Sequence, residues 1–292
     1  MDAVQLQNAL VLLVIVGLAA MEFISRRYKE TVHATANDTR LELFMFVSLL
    51  AITQPLVFLV TAKLGVWWVP EYQGVLADWP AWAMVGLLLV LDDMTQYWWH
   101  RASHSPWLWP LHRAHHSAQY MSIRVTFRNN FFYYLMMPGL WFAGALLYLG
   151  LGGMVYALYV VVKLAVILAA HCAWRWDEAL YRMPAFRPLM WVLERTISTP
   201  ATHWAHHAIT NQDGVGHYKG NFGNLLFLWD IIFGSAKITR HYPPQVGLVD
   251  DHLFGVEKWQ HQMFFPLLQS EREHTALKWG GQIYDESQHH RT

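Results

Sequence analysis

Three groups of histidine stand at helical spacing in this sequence. His100 and His104 are four apart, and His112, His115 and His116 read as His-x2-His-His. His203, His206 and His207 repeat that pattern, and the two triplets share an alanine, as His-Arg-Ala-His-His and His-Trp-Ala-His-His. Residues three and four apart share a helix face, so each triplet presents its imidazoles in one direction. So many imidazoles packed together would repel if protonated and be costly if buried without partners. A metal removes both difficulties, because neutral imidazole is the commonest metal ligand. An all-imidazole donor set suits zinc, copper, iron or nickel. These eight histidines, or nine with His171, exceed the four ligands of a tetrahedral zinc and suit two metals sharing a site with positions open for a small molecule. The single cysteine, Cys172, excludes a disulfide framework and any cysteine-based zinc or iron–sulfur site. Neither the His-Glu-x2-His signature of zinc proteases nor a phosphate-cradling glycine loop is present.

Such a cluster needs a scaffold, and the composition says which kind. Apolar residues make up 54% of the chain and charged ones only 14%, against a usual charged share of about 25%. A chain like this cannot coat a water-soluble surface with charge, so most of it faces lipid. Lys plus Arg and Asp plus Glu both count 21, and this balance points away from nucleic acid. Apolar stretches at 7–24, at 41–64 with Pro55 kinking it, and at 79–99 read as spans, the last carrying Asp92 and Asp93. The first is expected to be an uncleaved span, since Asp2 precedes it and Arg26, Arg27 and Lys29 follow. The forty residues 131–170 contain one charge, Lys163, and are divided by Gly150, Gly152 and Gly153 into two helices joined by a tight hairpin.

The expected architecture is an all-α integral membrane protein of about five transmembrane helices, with a cytoplasmic helical cap carrying the histidines. The units are an N-terminal two-span region (1–78), a catalytic membrane and cap region (79–240) and a cytoplasmic tail (241–292), charged and loosely ordered from Gln269 onward. Arg26, Arg27, Lys29 and Arg40 place the first loop in the cytoplasm by the positive-inside rule, with Trp67 and Trp68 anchoring the opposite interface. His100, His104 and His171 then meet the cytoplasmic face together. Pro110 and the pair Thr199-Pro200 mark helix starts just before the two triplets.

Asp93, Tyr97, His100 and His104 share one helical face, which makes Asp93 a candidate carboxylate acceptor for a metal-bound histidine, with Asp230 a second. Asp92 lies eight residues before His100 and Lys163 eight before His171. At ~1.5 Å per residue both are about 12 Å from the metal level, inside the bilayer, where a lone charge is costly. An ion pair between Lys163 and Asp92 or Asp93 is expected.

Read as an ordered set, Tyr97-Trp98-Trp99-His100-Arg101, Leu108-Trp109 through His116-Ser117, the triplet after Thr199-Pro200, Asn221-Phe222-Gly223, Trp229-Asp230 and Phe233-Gly234 resemble the fatty acid hydroxylase and sterol desaturase superfamily. The resemblance runs from about Asp92 to Gly234. It implies a cytoplasmic cap of histidines holding two iron ions, and hydroxylation or desaturation of a lipid C–H bond with O2. It also implies electrons from an external donor of the cytochrome b5 or ferredoxin type, and residence in a bacterial inner membrane or endoplasmic reticulum. The sequence departs from the family's usual Arg-x-His-Pro at Arg128-Asn129-Asn130-Phe131, and from Gln-His-Ser-Asn at Ala170-His171-Cys172-Ala173. His217, close to the second triplet, is the candidate for a tenth ligand. The residues leave other readings open: a zinc-dependent hydrolase of lipid esters or amides, a haem-binding electron carrier, or a metal transporter.

Overall fold

The computed structural model describes residues 1–279; the charged end of the chain, with His289 and His290, lies outside them. Among the described residues the regular structure is helical and contains no strands, only isolated bridges such as Ile197 with Leu226.

Three helices are long and apolar enough to cross a membrane: α1 (Ala3–Ile24), α3 (Ala36–Trp68) and α8 (Gly153–His171). Asp2 opens α1 through a capping box with Gln5. A short helix, α2 (Arg27–Thr31), follows. Thr35 and Asp38 cap α3 in the same way. Pro55 has no N–H to donate, and α3 meets it with a π-helical turn at Leu49–Thr53.

The stretch expected as the third span is one helical run, α4 (residues 81–103), with its own π-helical turn at Leu89–Met94. That turn points Asp92 and Asp93 at different partners. Asp92 Oδ2 accepts from Lys163 Nζ at 2.6 Å and from the Tyr159 hydroxyl at 2.9 Å, both on α8. The expected ion pair is therefore present. Asp93 instead holds the segment after the second triplet.

Past α5 (Trp109–His116), the forty-residue stretch with Lys163 as its one charge is more broken than expected. It forms α6 (Phe131–Met136), a break at Met137, then α7 (Pro138–Tyr148). At ~1.5 Å per residue, the 11 residues of α7 reach about 16 Å, short of a bilayer core of about 30 Å. The residue before a proline avoids helical geometry, which accounts for the break. The hairpin into α8 turns where expected, with Gly150 at φ 97°, a left-handed conformation costly for any other residue. α7 lies tightly on α3, where a Cβ at Gly144 would collide with the Thr61 hydroxyl.

After α8 come α9 (Trp176–Arg182), α10 (Arg187–Thr196), α11 (Pro200–His206), α12 (Leu228–Phe233), α13 (Val249–Phe254) and α14 (Trp259–Phe264). Met263 of α14 joins Leu41 and Met45 of α3 and Leu111 of α5 in one core cluster. The tail is less loose than expected up to the last described residue. Arg272 pairs with Asp250 at 3.0 Å and Asp251 at 3.1 Å, beside the fully buried Arg113, and Thr275 and Leu277 are buried.

Candidate metal centre

Each histidine helix begins where backbone donors are satisfied. Pro110 occupies the first turn of α5, where a missing N–H costs nothing. At α11 the Thr199 N–H donates to Thr202 Oγ1 at 3.0 Å and Asp177 Oδ2 accepts from Ala201 N at 2.9 Å. α4 ends just before its capping residue His104, and α8 ends at His171, so four helix ends meet at one level.

The nine expected histidines converge there in two groups. His100, His104, His112, His116 and His206 form one; His115, His171, His203 and His207 form the other. Within each, one ligand nitrogen per residue lies within 4.8 Å of all the rest. Helical spacing decides the division. Residues four apart stay together, as in His100 with His104, His112 with His116 and His203 with His207, while the middle member of each triplet, His115 or His206, crosses to the other group. His116 and His207 stack at 4.4 Å between ring centroids, so the two groups abut. His217 belongs to neither, and its Nε2 faces the Ser235 carbonyl at 3.1 Å. The tenth-ligand expectation is thus overturned by a competing backbone acceptor.

Five of the nine outer ring nitrogens are held by oxygens, while Nδ1 of His203 and of His207 is buried without a hydrogen-bond partner. His100 Nδ1 donates to Phe222 O at 2.7 Å, His206 Nδ1 to Gly220 O at 2.7 Å, His115 Nδ1 to Arg128 O at 3.1 Å and His171 Nδ1 to Ile167 O at 2.8 Å. His112 Nδ1 donates to Asn129 Oδ1 at 2.9 Å. In a neutral imidazole, a proton on Nδ1 leaves a bare lone pair on Nε2. The Nε2 atoms of His100 and His206 nonetheless stand 2.9 Å apart, and those of His115 and His171 3.3 Å apart. Lone pairs facing each other at these distances repel unless a cation lies between them. The Nε2 atoms of His104, His112 and His116 are buried with no hydrogen-bond partner. Burial, then the neighbouring imidazoles, push the pKa values of His115, His116, His203 and His207 well below the usual 6.5, which keeps these rings neutral. The donor set fits metal ions: neutral, inward-directed and short of protons.

Asp93 and Asp230 do not accept from a histidine. Asp93 takes Leu225 N at 3.3 Å, Leu226 N at 3.2 Å and Trp229 Nε1 at 2.8 Å. Asp230, pushed up in pKa by burial, takes Phe222 N at 2.8 Å, Gly223 N at 2.6 Å and the Ser235 hydroxyl at 2.6 Å. The two carboxylates secure the segment 220–226, whose carbonyls orient His100 and His206. Short loops present backbone donors in pairs that a carboxylate matches, while the carbonyls left over face the imidazoles.

These observations meet a family assignment. The fatty acid hydroxylase family model matches residues 85–235, just over half the chain. The chain belongs to the fatty acid hydroxylase family, within the fatty acid hydroxylase and sterol desaturase superfamily. This family is membrane-bound and typically iron-dependent, and it places the protein among lipid hydroxylases and desaturases. No solved structure matches the chain. The match contains all nine clustered histidines and ends at Ser235, which bonds Asp230.

Several supports were not singled out from sequence. Arg128 is fully buried, donates to Ala114 O and Ser117 Oγ, both at 2.8 Å, and pairs with Asp38 at 2.6 Å. It thereby fixes α5 to α3. Glu22 of α1 accepts from Ser122 Oγ and Ala173 N at 2.8 Å and from Ile123 N at 3.0 Å, tying α1 to the residues after His171. The available signals were a lone acid near the end of an apolar span, and an Arg-Asn-Asn run just ahead of forty nearly uncharged residues.

Proposed function

We propose that the nine histidines hold two iron ions in a non-haem centre, five imidazoles at one and four at the other. There the protein hydroxylates or desaturates a C–H bond of a membrane lipid, using O2 and electrons from an external cytochrome b5- or ferredoxin-type donor. The observation that carries the reading is the opposition of bare Nε2 lone pairs, at 2.9 Å between His100 and His206. When bound, iron supplies the redox chemistry with O2 that no side chain here can supply.

The chain's own residues position and exclude. Carbonyls and Asn129 fix five of the nine rings by their Nδ1 atoms, so the geometry of those ligands is set before metal arrives. Tyr133 stacks on His112 at 5.0 Å, and Phe222 meets His100 and His206 edge-on at 5.7 and 5.6 Å, aromatic walls that keep water away. The four-histidine position has fewer protein ligands and leaves more room for a small molecule. Residues 79–240 form the catalytic unit in this reading. The run 81–103 and the pair α6–α7 complete a five-segment membrane region, with the centre at the cytoplasmic face.

The zinc hydrolase reading fares worse, because the oxygens of Asp93 and Asp230 are occupied by backbone and side-chain donors, and among the described residues neither candidate carboxylate is free to act as a general base at the centre. A haem plane has no room between rings such as His171 and His203, whose centroids are 4.1 Å apart. Iron-loaded protein incubated with a chemical reductant, O2 and a lipid extract tests the proposal by mass spectrometry. An O2-dependent gain of one oxygen atom, or loss of two hydrogens, by a lipid is expected. Ester or amide cleavage without O2 uptake would overturn it.

A further inference from the structure

A cleft of about 390 Å³ lies between α1, α3, α8 and the 3-10 turn Ile123–Phe127, within the size range of small-molecule sites, about 300–1,000 Å³. Its apolar walls are Ile15, Leu43, Phe46, Ile123, Phe127 and Leu168; Thr39, Glu42 and Arg124 supply its polar part. The polarity follows the membrane. Thr39 and Glu42 lie near the start of α3, close to the basic loop after α1, and Phe46 lies about two turns beyond Thr39 and about one beyond Glu42. A ligand here would set a polar end at the interface and an apolar chain toward the bilayer.

Several wall residues are also close along the chain to members of the four-histidine group. Leu168 precedes His171 by three residues, one turn of α8. Phe127 adjoins Arg128, whose carbonyl accepts from His115. Glu22 joins Ile123 to Ala173, two residues beyond His171.

The polar part is balanced in charge. Arg124 pairs with Glu42 at 2.7 Å and also donates to Tyr28 and Thr39, both at 2.8 Å, while its side chain stays 26% exposed. Tyr120 gives a further hydrogen bond to Glu42. An added anion would face Glu42 across the same guanidinium. An uncharged hydroxyl can both donate to the carboxylate and accept from the arginine.

From this we infer that the cleft is the substrate site, entered sideways from the bilayer, and that it selects a single-chain lipid with an uncharged hydroxyl end over a free carboxylate. The inference rests on the lipid-oxidation reading and narrows it to a substrate class. Its test does not need metal. Full-length protein stripped with a chelator and placed in nanodiscs is titrated with radiolabelled 1-hexadecanol and with hexadecanoate at neutral pH. Saturable hexadecanol binding, at least tenfold tighter than hexadecanoate, is expected. Phe46→Trp and Leu168→Trp, which fill the cleft from opposite walls, should each weaken binding at least tenfold while full metal uptake on reloading shows that the fold is intact. Equal or tighter hexadecanoate binding, or hexadecanol binding unchanged in both variants, would overturn the inference. If the alcohol binds as described and no lipid is oxidised by the loaded protein, the cleft stands and the oxygenase reading falls.

Discussion

His100 and His206 show how a residue pair can demand an ion. Each gives its Nδ1 proton to a carbonyl, and the two remaining lone pairs confront each other at 2.9 Å. The orienting oxygens should therefore matter almost as much as the ligands. Replacing Asn129 with Leu removes the acceptor of His112, and affinity at the five-histidine position should fall roughly 10- to 100-fold, with the other position spared. Titration of stripped protein with cobalt(II), followed by its visible spectrum, would read the two positions separately. Asp230→Asn should act through His100 and His206 in the same selective way, because it weakens the acceptor for Phe222 N and Gly223 N. Equal loss at both positions would assign Asp230 a general structural role instead.

Among elements, the π-helical turn of α4 does the most unusual work, sending adjacent aspartates to α8 and to the segment 220–226. Lys163→Met alone leaves Asp92 without its countercharge and should cost about 3–5 kcal/mol. Adding Asp92→Asn should recover most of that, and urea unfolding in detergent micelles measures both. Failure of the double variant to recover would mean that the pair is not the principal tie. This pair was legible from residue counting, because two helices ending at one metal level fix the relative depth of everything along them. The π turn was not legible, since it depends on tertiary partners rather than local propensity. Asp93 was therefore placed on the correct helix face but assigned the wrong recipient. The fracture at Met137-Pro138 could be read from proline chemistry, yet the unbroken apolarity of 131–170 outweighed it.

For the whole molecule, histidine spacing carried the centre and hydropathy carried the long helices, while the supports from Glu22, Arg128 and Asp177 depend on contacts between residues 24 to 151 positions apart. Orientation rests on the first loop's positive charge. A cysteine at Gln73 should react with a membrane-impermeant maleimide from the outside of intact cells, and one at Lys29 only after lysis, in a background where the lone native Cys172 is buried. The reverse pattern would place the centre on the other face. Whether these imidazoles jointly hold two ions is decided by elemental analysis of purified protein after iron loading. Two iron ions per chain are predicted, falling to one in His100→Ala and to one in His203→Ala. A wild-type ratio near zero or one, or ratios indifferent to both substitutions, would contradict a two-ion centre.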